Sequence, residues 1–223
     1  MVTPKFKLIA IHFLILCAYF LHTVHAQEKG SEKLPVDPQV KVGKLDNGLT
    51  YYIRKNQKPE NKVELRLVIN AGSIQEDDDQ QGLAHFTEHM AFNGSRNFEK
   101  NDIVSFLQSI GVEFGADLNA YTGFDETVYI LPIPTEKKEN VVKAFQILQD
   151  WASTVGFDPD EIDKERGVVL EEERSGRGAE ERMFRVTYPR MLEGSKYADR
   201  LPIGKVEILK SFKPDVITRF YKD

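Results

Sequence analysis

Apolar residues recur along this chain in two rhythms, one of period two and one of period near 3.6. From Val63 to Asn70 the positions Val63, Leu65, Leu67 and Ile69 alternate with polar neighbours, the pattern of a half-buried strand. Val40–Leu45 and Leu49–Lys55 flank Asn47-Gly48, which predicts a hairpin. Ala116–Tyr121 and Glu126–Ile133 are also strand-like, joined by Thr122-Gly123-Phe124-Asp125. The helical rhythm predicts Gly82–Phe92, then Asn101–Ile110 with Ile103, Phe106, Leu107 and Ile110 on one face and Gly111 at its end. Thr135–Ala152 is a third helix, with Val142, Phe145, Leu148 and Trp151 expected to face inward. Asp158-Pro159-Asp160-Glu161 combines an N-cap, a proline at the first helical position and the carboxylate of a capping box. The helix it starts runs to about Arg174, before Gly176 and Gly178. Ala179–Leu192 is a further helix, a loop with Pro202 and Gly204 follows, and Pro214 opens a last helix. Strands followed by helices mixed with more strands predict an α+β domain, with a largely antiparallel sheet packed against helices.

The first 26 residues do not fit that globular pattern. Lys5 and Lys7 precede an apolar run from Leu8 to Leu21, and the segment ends Val24-His25-Ala26. A short positive region, about a dozen apolar residues and a small-residue end describe a secretory signal peptide. The run is short for a membrane span of roughly 20 residues; an uncleaved N-terminal anchor is the alternative. Leu16 is too bulky before Cys17 for a lipid-anchor site. Residues 27–37, polar and containing Pro35, read as a tether, so the folded domain is expected over 38–223. The expected location is outside the cytoplasm, periplasmic or extracellular, with or without membrane association, and without an integral span once the leader is removed.

Composition sharpens this reading. The chain has 223 residues, net charge −5, five His and one Cys. An acid-leaning balance argues against a nucleic-acid partner, and a single Cys excludes a disulfide framework or a CxxC zinc site. Removing the leader takes away Cys17, His12, His22, His25 and two Lys, leaving 28 positive against 35 negative charges, a net of −7. Both remaining histidines lie in one five-residue string.

That string is His85-Phe86-Thr87-Glu88-His89. On a helix, residues three and four apart share a face, so both imidazoles and the Glu88 carboxylate project together. Two neutral imidazoles four apart can chelate a divalent ion such as zinc. A third protein ligand and an open position for water would make the site catalytic, with a nearby carboxylate as base. The alternative is a surface helix with two titrating histidines. The order of residues is the inverse of His-Glu-x-x-His. Candidates for a third ligand lie in Glu165-Arg166-Gly167-Val168-Val169-Leu170-Glu171-Glu172. Glu165 and Glu172 are seven apart, about 20° offset on a helix, on the side of Val168 and Val169. Glu171 is turned away toward solvent. An exposed acidic helix with accidental phasing is the alternative. Glu76–Gln81, with Asp77-Asp78-Asp79, lacks the spaced ligands of a calcium loop and reads as a solvated turn.

Three separated stretches, taken in order, resemble the pitrilysin/insulinase family of zinc peptidases. They are His85-x-x-Glu88-His89; Phe114-Gly-Ala-Asp-Leu-Asn119-Ala120-Tyr121-Thr122 continuing to Thr127-Val-Tyr129; and Glu165 to Glu172. The resemblance implies one Zn2+ per chain held by His85, His89 and Glu172, with Glu88 as general base and Glu165 supporting the ligands. It also implies that an extended peptide or unfolded protein is the substrate, added as a strand along Asn119, Ala120, Tyr121 and Thr122. Tyr129 is expected in the core. Family members enclose substrate between homologous halves. A C-terminal homologous half or a partner subunit is therefore expected to close the chamber, and Asp223 falls before the family's first domain would end. The function implied is a zinc-dependent endopeptidase; a non-catalytic family subunit or a plain metal-binding domain is the alternative.

Overall fold

The structure is a computed structural model that describes residues 35–112 and 119–223. The leader, most of the tether and residues 113–118, including the first part of the expected strand from Ala116, lie outside the described residues. The chain divides into two compact units, one ending at Gln57 and the other Lys58–Asp223.

The described part of the first unit is an antiparallel hairpin of β1 (Val40–Lys44) and β2 (Thr50–Arg54), registered Val40 to Arg54 and Lys44 to Thr50. Its turn is the Asp46-Asn47-Gly48 segment, where the Asn47 side chain accepts the N–H of Leu49 at 3.1 Å. Asp37 and Gln39 close the open end by accepting hydrogen bonds from Arg54.

The second unit holds a three-stranded antiparallel sheet in the order β3 (Lys62–Ile69), β5 (Thr127–Pro134), β4 (Asn119–Thr122). Val63 pairs with Ile133, Ile69 with Thr127, and Asn119 with Ile130. Val63, Leu65, Leu67 and Ile69 are half-buried and their neighbours exposed, as the alternation predicts. The sheet packs against α1 (Leu83–Met90) and α3 (Lys138–Ser153). Around them lie α2 (Asp102–Ser109), α4 (Pro159–Ser175), α5 (Ala179–Met191), α6 (Val206–Ser211) and α7 (Pro214–Lys222). Leu83, Phe86, Met90, Leu131, Ile133, Ile147, Trp151, Ile162 and Val169 are fully buried in one core, with Tyr129 beside them. This is the expected α+β arrangement.

Four expectations need correction. The inward face of α3 is Ala144, Ile147 and Trp151 with Leu148 partly buried, whereas Val142 and Phe145 are 59% and 56% exposed. The helix carries apolar residues on two faces, and the sheet accepts the one with the indole. In α4, Val169 is buried but Val168 is 52% exposed. Asp158 caps α4 by accepting from the N–H groups of Asp160 and Glu161. The return carboxylate of the capping box does not form, because Glu161 is drawn to Lys100 and Lys164. Finally, α6 occupies part of the segment between Gly204 and Pro214 read as loop; its six residues are too few for a helical period to stand out.

Candidate metal centre

Helix α1 is held at both ends by side chains far from its own turns. Gly82 precedes it at φ 100°, and a Cβ there would come within 3.0 Å of the Gly204 Cα. Only glycine fits a left-handed position pressed against another backbone. One oxygen of Glu76 accepts the N–H groups of Gly82 at 3.0 Å and Ala84 at 2.9 Å, satisfying donors that a helix start leaves orphaned. At the other end the Trp151 indole donates to the Ala91 carbonyl at 2.8 Å. The expected solvated turn is therefore only half right. Glu76, Gln80 and Gln81 are buried, while Asp78 and Asp79 reach out to Arg200 and Arg219.

On α1 the two Nε2 atoms of His85 and His89 stand 3.2 Å apart. From α4, Glu172 Oε2 comes within 3.3 Å of His89 Nε2 and 3.7 Å of His85 Nε2. Three donors bound to one tetrahedral zinc at its usual bond lengths would be roughly 3.3 Å from each other. The spacing and the chemistry of this nitrogen–nitrogen–oxygen set fit such an ion. Among the described residues it is also a grouping of His and carboxylate side chains compact enough to hold one. Glu171, one residue away, is exposed and paired with Arg174.

Behind the donors lies a relay. His89 Nδ1 meets Glu165 Oε1 at 2.8 Å, and Asn93 Nδ2 donates to Glu165 Oε2 at 2.8 Å. A carboxylate on Nδ1 keeps the ring proton there and leaves Nε2 for a metal. Burial works against protonation of His89, but the hydrogen bonds to Glu165 and Glu172 prevail and lift it to about 9. Burial and the neighbouring His89 push His85 down. Burial opposes ionisation of Glu165, yet its bonds to His89 and Asn93 keep it below the ordinary carboxylate range; the bond to His89 does the same for Glu172.

Glu88, on the same helix, is 8% exposed. Its Oε2 accepts a hydrogen bond from the Thr122 hydroxyl at 2.7 Å. Burial raises its pKa, against the opposing pull of Thr122 and His89, the direction a general base working near neutrality needs. Thr122 ends β4, and Ala120 shares its partly buried side. Asn119 and Tyr121 alternate to the exposed side. Tyr129 is core.

His85, Glu88, His89, Glu165, Glu172 and Thr122 thus converge. Sequence reading missed Asn93, although its position four beyond His89 was a usable signal. It also missed the Glu76 cap, for which a separation of six and eight residues from its partners offered none.

The sequence pattern of the family described as Insulinase (Peptidase family M16) matches residues 51–186. The chain is 41% identical over 191 residues to a probable zinc protease PqqL of Haemophilus influenzae, covering 86% of this chain and 21% of that protein. It is 43% identical over 196 residues to a zinc protease PQQL-like of Arabidopsis thaliana, covering 88% and 20%. The crystal structure of the first half of the periplasmic protease PqqL from Escherichia coli superposes with a TM-score of 0.82 at 39% identity, over 86% of this chain and 41% of that one. Pitrilysin shares the fold, with a TM-score of 0.67 at 24% identity over 85% of this chain and 20% of that one. The chain spans about a fifth of the length of the curated relatives it matches.

Proposed function

Because the chain belongs to the insulinase (M16) family of peptidases, we propose that it forms the metal-binding, catalytic part of an exported zinc endopeptidase. The observation that carries this reading is the triangle of His85 Nε2, His89 Nε2 and Glu172 Oε2, with edges of 3.2, 3.3 and 3.7 Å and with a raised carboxylate, Glu88, on the same helix face. In this reading His85, His89 and Glu172 hold one Zn2+. When bound, the ion supplies a Lewis acid and a water acidified to near neutral pH. Glu88 takes the proton of the attacking water and later delivers it to the leaving amine nitrogen. Glu165, steadied by Asn93, orients the His89 ring.

An extended peptide adds as a strand along the edge of β4, beside Asn119, Ala120, Tyr121 and Thr122; among the described residues that edge is unpaired. Backbone pairing of this kind holds a peptide without reading every side chain. A homologous half or a partner subunit completes the chamber, in keeping with the fraction of its relatives that this chain spans. Residues 1–26 act as a signal peptide, residues 27–37 as a tether, and the peptidase domain begins at Pro38. The periplasmic Escherichia coli relative supports export. Among the described residues no helix is long and apolar enough to cross a membrane.

Metal removal tests the proposal. Treatment of the full-length protein with a chelator should abolish peptide hydrolysis, and one equivalent of Zn2+ should restore it. His85→Ala should lose stoichiometric zinc by elemental analysis. Retention of one zinc per chain in that variant would refute the ligand set.

A further inference from the structure

A glutamate side chain has three torsions, and the last is broad and weakly restrained. Burial alone does not decide which oxygen of Glu88 faces the reacting water. Among the described residues the Thr122 hydroxyl is the one hydrogen-bond donor to this carboxylate, at 2.7 Å on Oε2. We propose that Thr122 is a positioning residue for the hydrolytic step: its hydroxyl anchors Oε2 of Glu88 and so leaves Oε1 free to take the proton. The inference rests on the reading of Glu88 as the base.

The geometry suits an anchor. Threonine branches at Cβ and is stiff about χ1, so the place of its hydroxyl follows the backbone closely. That backbone is tied down on both sides. Thr122 pairs with Thr127 across the end of the sheet, and in the adjoining turn the Gly123 N–H donates to the Glu126 carbonyl at 2.8 Å. The turn is bonded in its other direction to the segment after β3. Ser73 N–H donates to the Gly123 carbonyl at 3.1 Å and Ile74 N–H to the Phe124 carbonyl at 2.9 Å. A Cβ on Gly72 would lie 2.5 Å from that Gly123 oxygen, so glycine at 72 permits the approach. Finally, the Ser73 hydroxyl donates to the Arg200 carbonyl at 2.6 Å.

Thr122 therefore links two functions in one residue. Its backbone belongs to the strand whose edge is open to an extended peptide, while its side chain reaches the base on α1. A peptide seated on β4 lies against the same element that sets the carboxylate's orientation. Such a contact should affect turnover rather than affinity, since loss of an interaction made in the transition state lowers kcat while ground-state pairing along the strand persists.

The test is Thr122→Val in the full-length protein, a change that keeps shape and removes the donor. Expected are a fall in kcat of about tenfold or more, KM within about twofold, unchanged zinc stoichiometry and recovery of most of the rate in Thr122→Ser. If the valine variant does not fold, Thr122→Ala is assayed with the same expectations. An unchanged kcat, a rise in KM alone, loss of zinc or failure of serine to recover the rate would each overturn the proposal. Glu88→Gln, assayed in parallel, separates the two levels. If it is inactive while Thr122→Val is not, only the anchoring role fails; if it stays active, the reading of Glu88 fails.

Discussion

Asn93 stands at the outer end of the relay that reaches the proposed metal donors through Glu165 and His89. Its amide donates both to the carboxylate and, at 3.3 Å, to the His89 carbonyl, so it fixes Glu165 relative to the helix that carries the histidines. A neutral glutamine at 165 would still bond Nδ1 but would not stabilise positive charge on the ring. In the full-length protein Glu165→Gln should weaken zinc binding by about 10- to 100-fold and Asn93→Ala by less, measured by competition with a chromogenic chelator. Wild-type affinity in both would show that Nε2 of His89 is presented without the relay. At this scale the sequence was largely legible. His85, Glu88 and His89 declare themselves by helical spacing, and Glu165 and Glu172 by their seven-residue separation. Asn93 escaped because a lone asparagine after a helix also suits an ordinary turn, and the Thr122 bond escaped because it joins residues 34 positions apart.

Helix α1 depends on partners that its own sequence does not contain. Glu76 binds its first N–H groups through one oxygen, and the other, Oε2, is buried without a partner among the described residues. Burial lifts this carboxyl to about 8, against the pull of the Ala84 and Gly82 N–H groups and of Arg200. The folded chain then holds the proton up to about pH 8, whereas an unfolded glutamic acid releases it near 4.5. Between these values the unfolded state binds fewer protons, so stability is full at the acid end and falls as pH rises. Glu76→Gln cannot ionise and should lose this part of the slope. From pH 5 to pH 8 the wild-type Tm should fall by roughly 5 °C more than that of the variant, followed by circular dichroism. Equal slopes would mean that Glu76 is ionised in the folded protein throughout. Element by element, the Asn47-Gly48 turn identified the hairpin, and alternation identified β3 because one of its faces differs from the other. The face of α3 was misjudged for the opposite reason: Val142 and Phe145 are as apolar as Ala144 and Ile147, and only the position of the sheet distinguishes them.

On the scale of the molecule, the Lys58–Asp223 unit brings its chemistry together by crossing α1 with α4 and setting the end of β4 beside them. Arg166 ties α4 to the end of α6: it donates to the Leu209 and Phe212 carbonyls, its guanidinium lies 4.2 Å from the Phe212 ring centroid, and that ring packs edge-on against Phe86 of α1. The proposed donors therefore sit on helices with their supporting side chains in place, as a metal site requires. The central claim, that this site activates water for peptide hydrolysis with Glu88 as base, is tested most directly by Glu88→Gln in the full-length protein. Zinc content and turnover of an unfolded polypeptide should be measured on the same sample. One zinc per chain is expected, with kcat lowered by about 10²- to 10⁴-fold. Full zinc occupancy with unchanged hydrolysis would contradict the claim.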